Sequence, residues 1–161
     1  PSYNMREKVY IETSIIGYLA SRLSRDLIVA AQQKITQEWW EDRRSHFDLY
    51  ISQLVIQEAE KGDKKAAAER ITTLEKIPLL EIKTEAVDLA EKFLSFKKLP
   101  KKASADALHI AISTVFGLDY LLTWNCKHIA NAEIQKSLAK ICLEEGYELP
   151  IICTPYELKG E

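Results

Sequence analysis

Glu12 closes Lys8-Val9-Tyr10-Ile11, an apolar, strand-forming run with no polar alternation. Such a run suits a strand covered on both faces in a parallel sheet, and α/β proteins place ligand sites at the carboxyl ends of those strands. The competing reading makes Glu12 a cap of the next helix or a solvent-facing strand end. Glu58 lies on a helix whose period groups Gln53, Gln57 and Glu60 on one side and turns Glu58 inward, between Leu54 and Val55. A carboxylate turned inward is costly unless it is paired or metal-bound, so its partner is a lysine, an arginine or a cation. Asp106, His109 and Ser113 share one face of a third segment, opposite Leu108, Ala111, Ile112 and Val115. Asp106 also falls in a first helical turn, where the helix dipole favours an acid with no site required, and His109 has a structural reading as a semi-buried histidine. Asn125, in the loop Thr123-Trp124-Asn125, emerges at the same sheet edge as Glu12. Asparagine is a common turn residue, and its carbonyl is also an oxygen ligand for a hard divalent cation.

Carboxylates converging on one sheet edge repel one another without a cation, and a divalent ion relieves that repulsion while lowering the pKa of bound water. A lysine-rich loop, with Lys97, Lys98, Lys101 and Lys102, directly precedes Asp106. It offers a local place for a polyanion, against the alternative of a solvated basic loop. The whole chain supplies no basic field, since its formal charge is −2, so nucleic-acid binding must be local.

Alternating strands and helices must position these residues. After the first strand, Ile15, Ile16, Leu19, Ala20 and Leu23 recur at helical spacing, with Thr13 or Ser14 as the expected cap. Asp26 caps a longer helix through Trp40 that ends near Arg43, and Asp48–Ser52 reads as a buried strand. Ser52 caps the Gln53–Lys61 helix, which Gly62 stops, and Asp63 caps the next, which Pro78 follows. Leu79–Ile82 is a short strand, and Thr84 caps a helix with Val87, Ala90, Phe93 and Leu94 on its apolar face. The Ser104 helix runs to near Gly117, Asp119–Thr123 is a strand, a helix spans 131–144 and a last strand lies near Ile151-Ile152. This alternation argues a three-layer α/β/α sandwich with a central parallel sheet. At 161 residues and 47% hydrophobic the chain suits one domain, taken as 5–161, with 1–4 ahead of Met5 read as a cloning remnant.

The ordered set Tyr10-Ile11-Glu12-Thr13-Ser14, Glu58 ahead of Lys61-Gly62-Asp63, Ala105-Asp106-Ala107-Leu108-His109-Ile110-Ala111 and Leu122-Thr123-Trp124-Asn125 resembles the PIN-domain family. Within it the chain is similar to the VapC-type toxin ribonucleases of toxin–antitoxin modules, over nearly its whole length to Thr154-Pro155. The resemblance implies an endoribonuclease that hydrolyses RNA phosphodiesters with water activated by Mg2+ or Mn2+. Glu12 falls where the family usually has its first Asp, Glu58 at its Glu, Asp106 at its central Asp, and Asn125 at an Asp or Asn. Thr13, Ser14, His109 and Thr123 adjoin this quartet as candidate auxiliary residues, and His128 falls near a further, often acidic, position. Glu in place of Asp at position 12 adds a methylene, which matters because Mg2+ demands near-octahedral ligands. It implies a shifted geometry, a preference for Mn2+ or a weakened site.

The implied partners are an RNA substrate, a cognate antitoxin and a second copy in a homodimer. Trp39, Trp40 and the first two helices read either as such a partner surface or as core. An RNA- or protein-binding PIN module whose activity is weakened or lost is the main alternative. A nucleotide-binding or phosphoaspartyl α/β protein fits poorly, because no glycine-rich loop follows the first strand. Cys126, Cys142 and Cys153 form neither a disulfide framework nor a zinc pattern. Reduced thiols, the lack of a membrane-length apolar run and the lack of a secretion signal point to a cytoplasmic protein with no membrane partner.

Overall fold

A computed structural model describes residues 5–96 and 99–160. Residues 1–4, Lys97, Lys98 and Glu161 lie outside it, and with them the reading of 1–4 as a remnant and half of the lysine loop. The elements are β1 (Lys8–Ile11), α1 (Thr13–Ala20), α2 (Leu27–Asp42), β2 (Asp48–Ser52), α3 (Gln53–Ala59), α4 (Lys64–Leu74), β3 (Leu79–Leu80), α5 (Thr84–Leu94), α6 (Ser104–Val115), β4 (Tyr120–Leu122), α7 (Ala132–Glu144) and β5 (Ile151–Cys153). Single 3-10 turns precede β2 and α6. The five strands are all parallel, in the order β3-β2-β1-β4-β5.

That order carries the chain outward from β1 in one direction through β3, then back to the other side for β4 and β5. Right-handed crossovers therefore put α1–α4 on one face of the sheet and α5–α7 on the other, and α5 packs on α6 and α7. The expected three layers are present. Crossovers diverge on either side of β1, so its carboxyl end, where Glu12 stands, is a topological switch point. β1 is central and fully covered, with Val9, Tyr10 and Ile11 at 0% exposure, which is why it reads as an unbroken apolar run.

Several local expectations are corrected. Glu12 itself, not Thr13 or Ser14, is the N-cap of α1, accepting from the Ser14 N–H. Leu23 lies past the end of α1 and is exposed. β3 is only two residues long, since Glu81 and Ile82 do not pair. Lys83 is the N-cap of α5 and Thr84 its first residue; Val87 is exposed while Ala86, Leu89, Ala90 and Phe93 are buried, one position round from the expected stripe. His109 and Ser113, placed on a polar face of α6, are both fully buried, because α6 is covered on both sides. Trp39 and Trp40 are core, Trp39 stacking on Phe47. The caps at Asp26 and Asp63 form as the sequence predicts, and Asn131, read only as the start of the last helix, is its N-cap. No helix among the described residues is long and apolar enough to cross a membrane.

Candidate metal centre

The parallel register sets Ile11 against Leu122, and the Glu12 N–H donates to the Leu122 carbonyl at 3.1 Å. Two adjacent strands thus end together, one delivering Glu12 and the other Thr123. The Thr123 hydroxyl donates to Glu12 Oε1 at 2.5 Å, and the Ser14 hydroxyl donates to the same oxygen at 2.5 Å. The Ser14 N–H reaches Glu12 Oε2 at 3.2 Å. Glu12 is 6% exposed, so these donors do the work that water would do outside. The capping role and the site role weighed in the sequence belong to one side chain.

Glu58 arrives from the last turn of α3. Its Oε1 accepts from the Thr13 hydroxyl at 2.5 Å and from His109 Nε2 at 2.6 Å, which leaves Oε2 outside both bonds. The expected lysine or arginine partner is replaced by a histidine 51 residues away. Burial pushes the Glu58 carboxyl upward, but the hydrogen bond and electrostatic pull of His109, the Thr13 hydroxyl and the charge of Lys61 outweigh it. The net pKa lies below the usual carboxylate value, so Glu58 is ionised at neutral pH. Behind it, His109 Nδ1 meets the Tyr10 hydroxyl at 2.7 Å, and that hydroxyl meets Ser52 Oγ at 2.8 Å.

One ligand atom each from Glu12, Glu58 and His109 lie within 4.8 Å of one another. Among the described residues no lysine or arginine forms an ion pair with either carboxylate. Two carboxylates this close, bonded to hydroxyl, amide and imidazole groups and with no lysine or arginine in direct contact, form a negative site. Its donor set fits a hard, oxygen-seeking divalent cation.

Asp106 and Asn125 meet a different partner. Asp106 Oδ2 is 3.1 Å from His128 Nδ1, and Asn125 Oδ1 accepts from the His128 N–H at 3.1 Å. A single histidine therefore gathers both, while the Asn125 N–H donates to Thr123 Oγ1 at 2.9 Å and joins this pair to the Glu12 end. Asp106 precedes His109 by three positions, hence lies about one helical turn away on α6. A cleft of about 500 Å3 opens beside His128, bordered by Pro100, Lys102, Lys127, Asn131 and Ile134. Lys101 and Lys102 are exposed on the 3-10 turn leading into α6, whereas Lys97 and Lys98 lie outside the described residues. A larger cavity, about 840 Å3, opens at the amino ends of β2 and β3, among Asp48, Leu49 and Pro78, away from these acids.

Sequence reasoning missed Tyr10 and Ser52. Tyr10 reads as a strand former, yet a tyrosine hydroxyl at 0% exposure must find a partner, and that requirement was the available signal. Ser52 sits at the N-cap of α3 as expected but makes no side-chain cap bond, because its hydroxyl is committed to Tyr10.

The fold and this cluster together define a three-layer α/β protein with acidic side chains collected at the switch point of a parallel sheet. The model of the PIN domain family matches residues 9–130, from β1 through the turn after β4, and the chain belongs to the PIN domain family. Two known structures share the fold. One is the Mycobacterium tuberculosis VapC20, a Sarcin-Ricin loop cleaving toxin, with TM-score 0.57 and 12% identity over 80% of this chain and 94% of that one. The other is VapBC2 from Rickettsia felis, bound to a DNA fragment from their promoter, with TM-score 0.59 and 13% identity over 91% of this chain and 98% of that one. No curated protein matches this sequence.

Proposed function

We propose that this protein is a divalent-metal-dependent endoribonuclease, the toxin component of a type II toxin–antitoxin module, active in the cytoplasm against RNA. The observation that carries the reading is the pair Glu12 and Glu58, drawn together at the switch point with, among the described residues, no lysine or arginine in an ion pair with either. Membership of the PIN domain family and the fold shared with VapC20 support the nuclease class. VapBC2 supports a partner protein, the antitoxin, and a homodimer completes the proposed assembly.

Glu12, Glu58, Asp106 and Asn125 would hold Mg2+ or Mn2+ in this reading. Such an ion would supply Lewis-acid chemistry, lowering the pKa of a bound water and offsetting charge on the scissile phosphate. The chain's own residues do the rest. Thr13, Ser14 and Thr123 donate to the two glutamates and fix their carboxylate planes. Lys101, Lys102 and Lys127 neutralise flanking phosphates beside the cleft at His128. Glu12 fits its extra methylene into this scheme by reaching Thr123 on the neighbouring strand while still capping α1.

A second reading, a PIN module that binds RNA or a protein without cleaving, draws on the commitment of both Asp106 and Asn125 to His128. One assay separates the two. Purified protein is incubated with a labelled RNA mixture and Mg2+ or Mn2+, with and without chelator. Cleavage that requires the ion and is lost in Glu58→Gln supports the nuclease; RNA retention without cleavage under every metal condition supports the binding module.

A further inference from the structure

We propose that Tyr10 and His109 are positioning residues that present Glu58 to the divalent cation, with His109 acting as a hydrogen-bond donor through Nε2 and not as a metal ligand. The inference rests on the metal-site reading of Glu58 given above. His109 Nε2 and Glu58 Oε1 are 2.6 Å apart. Two lone-pair atoms do not approach that closely without a proton between them, and a carboxylate that ligates a metal is deprotonated, so in the metal-site reading Nε2 carries the hydrogen and has no lone pair for an ion. The other ring nitrogen lies 2.7 Å from the Tyr10 hydroxyl, which lies 2.8 Å from Ser52 Oγ. In the Nε2–H tautomer the donors run in one direction, from Ser52 to Tyr10, from Tyr10 to Nδ1, and from Nε2–H to the carboxylate.

Every group behind Glu58 is sealed, since Tyr10, Ser52 and His109 are each at 0% exposure. Water cannot substitute for any link, and the Tyr10 hydroxyl sits between Ser52 Oγ and His109 Nδ1 within hydrogen-bond distance of both. Ser52 holds the N-cap position of α3 yet spends its hydroxyl on Tyr10, so the chain of bonds is built at the expense of a cap. The consequence for Glu58 is directional. His109 and Thr13 both take Oε1, which fixes the carboxylate plane and leaves Oε2 for the cation. Hydrogen-bond partners of ligating carboxylates tune a site in this way, and an all-oxygen set is what Mg2+ prefers.

The test uses the full chain, labelled with 15N-histidine. Long-range proton–nitrogen spectra report which ring nitrogen bears the proton, and Mn2+ affinity is read by electron paramagnetic resonance of the free ion. Nε2 of His109 is expected to be protonated both before and after Mg2+ addition. Tyr10→Phe is expected to weaken Mn2+ binding about 10- to 100-fold in protein whose circular dichroism is unchanged. Ser52→Ala weakens it less, in the same direction, and serves if Tyr10→Phe does not fold. His109→Gln, whose amide N–H stands in for Nε2–H, retains more affinity than His109→Ala. An Nε2 that lacks a proton, or loses it when Mg2+ binds, overturns the proposal. So does a folded Tyr10→Phe that binds Mn2+ within twofold of the wild type while the wild type does bind it. A wild type that binds no Mn2+ refutes the metal-site reading itself and the inference with it.

Discussion

Thr123 is where the candidate site and the fold can be separated by a single hydroxyl. Its Oγ1 donates to Glu12 at 2.5 Å and accepts from the Asn125 N–H at 2.9 Å, in a side chain with 0% exposure. Thr123→Val keeps the shape and deletes both bonds. Loss of a hydrogen bond to a charged group costs about 1.5–3 kcal/mol, and an orphaned N–H costs about 1–3 kcal/mol. Asn125 is only partly buried, which places its share at the low end, so the expected destabilisation is about 3 kcal/mol. Thr123→Ser keeps the oxygen and gives up one methyl, a loss of about 1 kcal/mol. Urea denaturation of the three proteins in chelator, read as midpoints at constant slope, measures the difference. The valine variant should fall about 2 kcal/mol below the serine variant. Equal midpoints would show that the Thr123 hydroxyl does not hold Glu12, and the account of the β1–β4 junction would be wrong.

Two further outcomes follow from other residues. Mn2+ should raise the melting temperature of the wild type by mass action, and Asp106→Asn should lose most of that rise; a variant that keeps the full shift leaves Asp106 as a first-turn acid paired with His128. Burial, helped by the charge of Glu157, pushes the Cys153 thiol up to about 12, and burial pushes Cys142 up to about 11. A thiol that holds its proton more tightly when folded contributes stability that is complete below its ordinary value of 9.0 and is lost as pH rises toward the folded value. Melting temperatures should therefore decline from about pH 9 upward, and Cys153→Ala should flatten that decline; parallel slopes would assign the alkaline loss to other groups.

The strand ends were legible because parallel strands buried on both faces announce themselves as unbroken apolar runs, and Val9–Ile11 does so. Caps at Asp26 and Asp63 were legible because they too are local, each bonding N–H groups two or three residues on. The partners of the acids were not. Glu58 and His109 are 51 residues apart, and Glu12 and Thr123 are 111 apart, so no local pattern records that they meet. Polar residues on α6 were misplaced because an apolar stripe assumes one wet face, whereas α6 has none at His109 and Ser113. Glu12 was read as a choice between cap and site because a sequence shows one role per position; the geometry lets one carboxylate serve both.

The junction of β1 with β4 also sets an order of events during synthesis. Glu12 and Glu58 leave the ribosome early, but the strand that delivers Thr123 pairs with β1 only after more than two thirds of the chain has been made, and Thr123 is itself tied by its N–H to the Cys153 carbonyl on β5. Domains made from the amino terminus onward cannot complete a central strand whose neighbour has not yet emerged. A nascent chain therefore carries the acids without their alignment until β4 and β5 have emerged and paired beside β1.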